Sequence, residues 1–266
     1  MMAYTCREIC NQIDEYAPAR LALEGDPIGL HTGSYDQKVS RLFMALELTP
    51  DVAREAADFN PQMIIVHHTP LFKPLKQLRD EGGHNQIILE LIRRQISLYT
   101  AHTNLDCVRG GVNDVLAERL GLTEITILQA RSQSDPDAGL GRVGVLSEPA
   151  TLAEYAEFVK KALGARKVRY CGSKDRQVNK VAVCGGAGAF LMNEAASCGA
   201  DAYITADVEH HEGIQAMELG LALIDGGHFA TENPVISVLA AWLGDRMPEL
   251  TIGVSKISGD PFCYVD

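Results

Sequence analysis

Several chemistries are absent from this sequence. No apolar stretch approaches the length of a membrane span, so helical insertion into a bilayer is not expected. The leading residues, MMAYTCREICNQIDEYAPAR, are broken by charged and polar side chains and hold no apolar core of signal-peptide length. No C-x-x-C pair occurs, and an odd seven cysteines fit a reducing cytoplasm better than a disulfide framework. Serine is missing from any nucleophile elbow and no cysteine has an evident histidine partner, which disfavours covalent catalysis. Positive charge is scarce: 24 basic residues face 35 acidic ones, for a net charge of −11. That balance argues against a nucleic-acid or anionic-membrane surface. A small anionic substrate remains compatible if cations in the site offset the repulsion locally.

What is present begins with an apolar run that ends in two histidines, Met63-Ile64-Ile65-Val66-His67-His68-Thr69-Pro70. A short apolar run between Pro61 and Pro70 reads as a fully buried strand of a parallel sheet. Ligand sites in open α/β sheets lie just past the carboxyl ends of the strands, where His67 and His68 fall. Successive strand residues point to opposite faces, so the pair suits two ions side by side better than chelation of one. At this level a metal role and a structural role are both open.

Around this run the chain alternates helices and strands, with 266 residues and 46% hydrophobic content to build a sizeable core. A helix over residues 5–16 is closed by Pro18, and Cys6 and Cys10 on it are expected to face the core. Thr49-Pro50 starts a helix between the strands 39–48 and 63–68, a right-handed parallel crossover. A basic loop (Lys73, Lys76, Arg79), a helix near 85–94 and a strand 96–101 lead into His102-Thr103-Asn104-Leu105-Asp106. Thr151 and Glu154 form a capping box, strand 181–184 breaks into Gly185-Gly186-Ala187-Gly188, and strand 202–205 is followed by His210-His211. Strand 221–224 then leads into His228-Phe229-Ala230-Thr231-Glu232.

The two halves echo each other: a strand, a His-His pair, a helix, and a strand ending in His-x-x-x-acid. Six of the eight histidines fall in this scheme. The expected fold is α/β, two similar duplicated units with mostly parallel or mixed sheets. The first is placed at 1–126, with 233–266 packing back on it, and the second at 127–266, with a metal site in the cleft between them. The alternative is a coincidence among ordinary α/β turns. Histidine with carboxylate suits zinc, iron or manganese, and a carboxylate can bridge two ions. The glycine-rich turn at 185–188 reads as a tight strand-to-helix turn rather than a phosphate cradle, since Leu191 stands where a third glycine is wanted. The basic loop reads as solvated surface, with steering of an anionic substrate as the alternative.

Three separated segments resemble one family. They are Ile65-Val66-His67-His68-Thr69-Pro70-Leu71-Phe72, Ala101-His102-Thr103-Asn104-Leu105-Asp106 with Gly110-Gly111-Val112-Asn113-Asp114, and Gly227-His228-Phe229-Ala230-Thr231-Glu232. Their order and content are similar to the NIF-three-like family, whose members are often called GTP cyclohydrolase I type 2 homologs or dinuclear metal centre proteins. The resemblance implies a toroidal homohexamer with two divalent metal ions per subunit, zinc, iron or manganese. It implies His67, His68, Asp106, His228 and Glu232 as ligands, with Glu232 as bridge. His102, His210 and His211 are then catalytic or substrate-contacting groups. The turn Glu24-Gly25-Asp26-Pro27 departs from relatives that carry a tryptophan there, which puts local substrate contacts in doubt. The implied activity is hydrolysis of a nucleotide-like or phosphorylated molecule, by GTP ring opening or phosphoester cleavage. The alternative is a non-enzymatic hexameric metal-binding, regulatory or partner-binding protein. Five side chains for two ions leave coordination positions open, which favours chemistry.

Overall fold

Thr5 opens the first helix with a capping box: its side chain accepts from Glu8 N while the Glu8 carboxylate accepts from Thr5 N. The computed structural model describes residues 3–80, 82–132, 135–263 and 265. The chain runs β1 (Tyr4–Thr5), α1 (Cys6–Tyr16), β2 (Gly29–Thr32), β3 (Lys38–Val39), β4 (Arg41–Glu47), α2 (Pro50–Phe59), β5 (Met63–His68), α3 (Gly83–Arg93), β6 (Ser97–Thr100) and α4 (Thr103–Cys107). It continues with α5 (Val112–Arg119), β7 (Leu122–Ser132), β8 (Asp135–Thr151), α6 (Leu152–Leu163), β9 (Arg169–Cys171), β10 (Gln177–Val183) and α7 (Met192–Ser197). The remaining elements are β11 (Ala202–Thr205), α8 (His210–Glu218), β12 (Ala222–Asp225), α9 (His228–Glu232), α10 (Pro234–Arg246) and β13 (Thr251–Val254). Two units result, Met1–Leu105 with Ile236–Gly259 and Asp106–Val235 with Asp260–Asp266.

In the first unit a five-stranded sheet has the order β13-β4-β5-β6-β2. β4, β6 and β13 run parallel to β5, and β2 closes the edge antiparallel to β6. β5 is therefore the central strand, which accounts for its unbroken apolar run. Ile64 and Val66 pack with Phe43, Val52, Ala56, Ile88, Leu91 and Leu98. α1 buries Cys6, Ile9, Cys10 and Ile13 at helical spacing, so both cysteines face the core as expected. Thr49 caps α2 by accepting from Val52 N, Pro50 follows it, and Asn60 ends the helix in the left-handed region.

In the second unit the sheet order is β7-β8-β10-β11-β12-β9. β10, β11 and β12 are parallel, and β9 is antiparallel on β12. The first sheet thus holds four adjacent parallel strands and the second three; in each the last of them, β6 or β12, has an antiparallel edge strand beside it and is followed in the chain by a five-residue helix, α4 or α9. The mixed α/β class expected from the sequence is the class observed.

Two features were not read from the sequence. β7 and β8 form a long antiparallel pair, of which the sequence pattern marks only the apolar residues 143–146 as strand. And α5 belongs with the second unit: Leu116 and Ala117 pack with Leu120, Leu122, Val181, Ile204 and Ile224. The first unit comprises Met1–Leu105 with Ile236–Gly259. β13 does return to the first sheet, beside β4. Among the described residues no helix is long and apolar enough to cross a membrane.

Candidate metal centre

Parallel pairing delivers the first cluster. Register places Glu47, the last residue of β4, beside His68 at the end of β5, and His68 Nδ1 lies 3.2 Å from Glu47 Oε2. β6 extends its pairing one residue further, Ala101 N donating to Val66 O at 3.0 Å. This presents the Ala101 carbonyl to His67 Nδ1 at 2.8 Å. His102 follows directly, with Nδ1 2.8 Å from Asp26 Oδ1. Asp26 is itself held by Thr103, whose backbone N and hydroxyl both donate to Oδ2. Burial alone would raise the Asp26 carboxyl, but hydrogen bonds from Thr103 and His102 outweigh it and hold the group below the usual carboxylate range.

The ring centroids of His67 and His68 stand 4.8 Å apart, and that of His102 is 5.0 Å from His67. The ligand atoms of the three lie within 4.8 Å of one another. Strand alternation does not part the adjacent pair, because His68 is the terminal residue of β5 and the chain turns at Thr69-Pro70.

The second unit builds its own cluster on α9. His228 and Glu232 are one helical turn apart, with His228 Nε2 3.1 Å from Glu232 Oε2. His228 Nδ1 is 2.7 Å from Asp207 Oδ2. The loop after β10 presses on this pair. Gly186 has φ +64°, donates its N–H to Thr231 Oγ1 at 3.1 Å, and has no room for a side chain beside Glu232. The glycine-rich turn thus seats a carboxylate rather than a phosphate.

Asp106 is tied to the same loop through Asn113, whose Nδ2 donates to the Asp106 carbonyl and whose Oδ1 accepts from Gly185 N, each at 3.0 Å. The buried Cys184 thiol is pushed up by burial first, then by the charges of Asp106 and Glu232. Ligand oxygens of Asp106 and Glu232 lie within 4.8 Å of each other.

His210 and His211 are placed differently from His67 and His68. They open α8 and are exposed, His211 Nδ1 lying 3.3 Å from Glu209 Oε2. Among the described residues neither joins a candidate ligand group.

All four clustered histidines have Nδ1 facing an oxygen: a backbone carbonyl for His67 and carboxylates of Glu47, Asp26 and Asp207 for His68, His102 and His228. Such a partner accepts a hydrogen bond from Nδ1–H and leaves the lone pair on Nε2, the form in which imidazole binds a metal. The donor set fits a borderline divalent ion, and the chain carries histidine and glutamate groups that could hold one. In the sequence Asp26 and Gly186 stand out only as members of turns, and Glu47 and Asp207 carry no assigned role. Glu47 had a signal: it ends the strand next to the one that ends in His68.

The chain is similar to known proteins over nearly its whole length. Residues 4–261 match the Duf34/NIF3 (NGG1p interacting factor 3) family. The GTP cyclohydrolase 1 type 2 homolog of Clostridium acetobutylicum is 34% identical over 267 residues, covering 99% of this chain and 100% of that one. Among solved structures, the Bacillus cereus protein related to NIF3 superposes with a TM-score of 0.96 at 26% identity, covering all of both chains. Reduced HcgD from Methanocaldococcus jannaschii gives a TM-score of 0.82 at 32% identity, covering 96% of this chain and 98% of that one.

Proposed function

The chain belongs to the Duf34/NIF3 (NGG1p interacting factor 3) family, and from that premise we propose that it is a metal-dependent hydrolase of a nucleotide-like or phosphorylated small molecule. In this reading His67, His68, Asp106, His228 and Glu232 would hold two divalent ions, zinc, iron or manganese. The protein works as a homohexamer in the cytoplasm, where its seven free cysteines stay reduced. The observation that carries the reading is the common orientation of the four histidines, each with its Nδ1 proton committed to an oxygen.

When bound, the ion pair supplies Lewis acidity towards water and towards the developing oxyanion. The chain's own groups supply the rest. Ala101 O, Glu47 and Asp207 fix the rings that bind. His102, backed by Asp26, takes or returns a proton at Nε2, as a histidine oriented by a carboxylate does in general acid–base catalysis. His210 and His211 contact substrate. GTP is the first substrate to try, given the name its relatives carry, and phosphomonoesters and phosphodiesters come next.

The test is metal-replete protein assayed against GTP and a phosphoester panel, with metal content measured in parallel. Turnover abolished by a chelator and restored by the metal is expected. Full metal occupancy with no turnover would overturn the hydrolase reading in favour of a metal-binding or regulatory protein. A Glu232→Ala variant that kept all its metal would overturn the ligand role of Glu232.

A further inference from the structure

We propose that residues 72–79 dock on the β9–α8 face of a second copy of this chain, a contact that rests on the self-assembly reading above. Phe72, Leu75 and Leu78 recur at every third position, and all three are exposed, Phe72 to 60%. Each is followed directly by a cation: Lys73, Lys76 and Arg79. The stretch 72–79 contains no acidic residue. It forms neither helix nor strand, in keeping with Pro70 and Pro74, which bias the residues before them to extended backbone. A repeat of three on extended chain lines the apolar groups along one side, with the cations on the next. Large apolar side chains exposed in such a row mark an interaction surface.

The second unit offers a surface of matching character. A cavity of about 310 Å³ lies between edge strand β9 and helix α8, walled by Tyr170, Val208, Ile214, Met217 and Leu223. Met217 is 61% exposed, and Ile214 and Tyr170 are exposed with it. Glu209 lines the cavity, and Arg169, which also lines it, is paired with Asp225 at 2.8 Å; α8 itself adds Glu212 and Glu218 and no lysine or arginine. Glu209 at the groove, with Glu212 and Glu218 on α8, thus answers the cations of the apolar stripe. In a chain of net charge −11, the basic stretch is complementary to the protein's own acidic surface. The contact joins the first unit of one copy to the second unit of the next. It is heterologous, the kind that closes into a ring when the rotation per copy permits.

The experiment uses the full chain. Leu75→Cys and Met217→Cys variants, carried on differently tagged copies, are mixed and oxidised, with each single variant mixed with wild type as the control for native thiols. A cross-link between the two tags, lost in both controls, is expected. In parallel, light scattering compares wild type with Lys73→Glu/Lys76→Glu/Arg79→Glu at low salt, circular dichroism and metal content confirming that the fold is kept. Loss of the assembled species in the charge-reversed protein is expected. An assembled wild type with no cross-link, and no change of size on charge reversal, would overturn the docking contact alone. A monomeric wild type would overturn the assembly reading and the contact with it.

Discussion

Gly186 and Glu232 are packed so closely that a Cβ on the glycine would stand 2.1 Å from the carboxylate Oε1 and 3.1 Å from His228 Nε2. The backbone there has φ +64°, so the position excludes a side chain twice, by conformation and by space. The loop is the back wall against which the acid is set.

Gly186→Ala is therefore expected to displace Glu232 and to weaken metal binding by at least about tenfold, as loss of support for a ligand does. Gly199 is the control: its φ is +75° but nothing lies within 4 Å of an added Cβ. Gly199→Ala should cost only the left-handed backbone penalty, about 1–2 kcal/mol, and keep its metal. Metal titration and thermal unfolding of both variants distinguish the two.

Removing the oxygens that hold Nδ1 should act on the metal without touching a ligand. Glu47→Ala and Asp207→Ala are each expected to lower affinity by about 10–100-fold. His210→Ala/His211→Ala should leave metal content unchanged, since both rings are exposed at the start of α8. Equilibrium titration against a metal buffer reads all three.

A separate test concerns the frame of the second unit. Arg142 is fully buried and donates to Asp114 through Nε at 2.9 Å and Nη2 at 2.6 Å. Asp114→Ala leaves that guanidinium buried without its counter-charge, and a loss of about 3–5 kcal/mol in chemical denaturation is expected. Asp114→Leu/Arg142→Met should cost less than the single change, because no charge is then stranded.

Thiol reactivity follows burial. Desolvation pushes Cys10 up to about 12, and Cys6 also upward. Because the shift is upward, the thiolate is depleted at pH 8, to about one molecule in ten thousand for Cys10. Cys263 is exposed. Labelling of the native protein with a thiol reagent should modify Cys263 first and reach Cys6, Cys10 and Cys184 only after unfolding.

Much of the site's location was legible along the chain. A buried strand announces itself by an unbroken apolar run, and its histidines must then emerge at the carboxyl end, as His67 and His68 do on β5. Capping chemistry is equally local, and the Thr151–Glu154 box opens α6 where the sequence marks it. The hairpin β7–β8 was harder, because its residues alternate without the Gly or Asn turn that signals a two-residue loop.

What the sequence by itself determined is therefore the set of strands that end in imidazoles and acids, because periodicity and turn residues are properties of neighbours in the chain. Only the tertiary structure decided which oxygen stands behind each ring. Glu47 reaches His68 across a strand register, Asp26 reaches His102 across 76 positions, and Asp207 reaches His228 across 21. Hydrogen-bond partners are chosen by distance in space, and nothing in the local pattern of an isolated acid distinguishes one that fixes a proton from one that meets water.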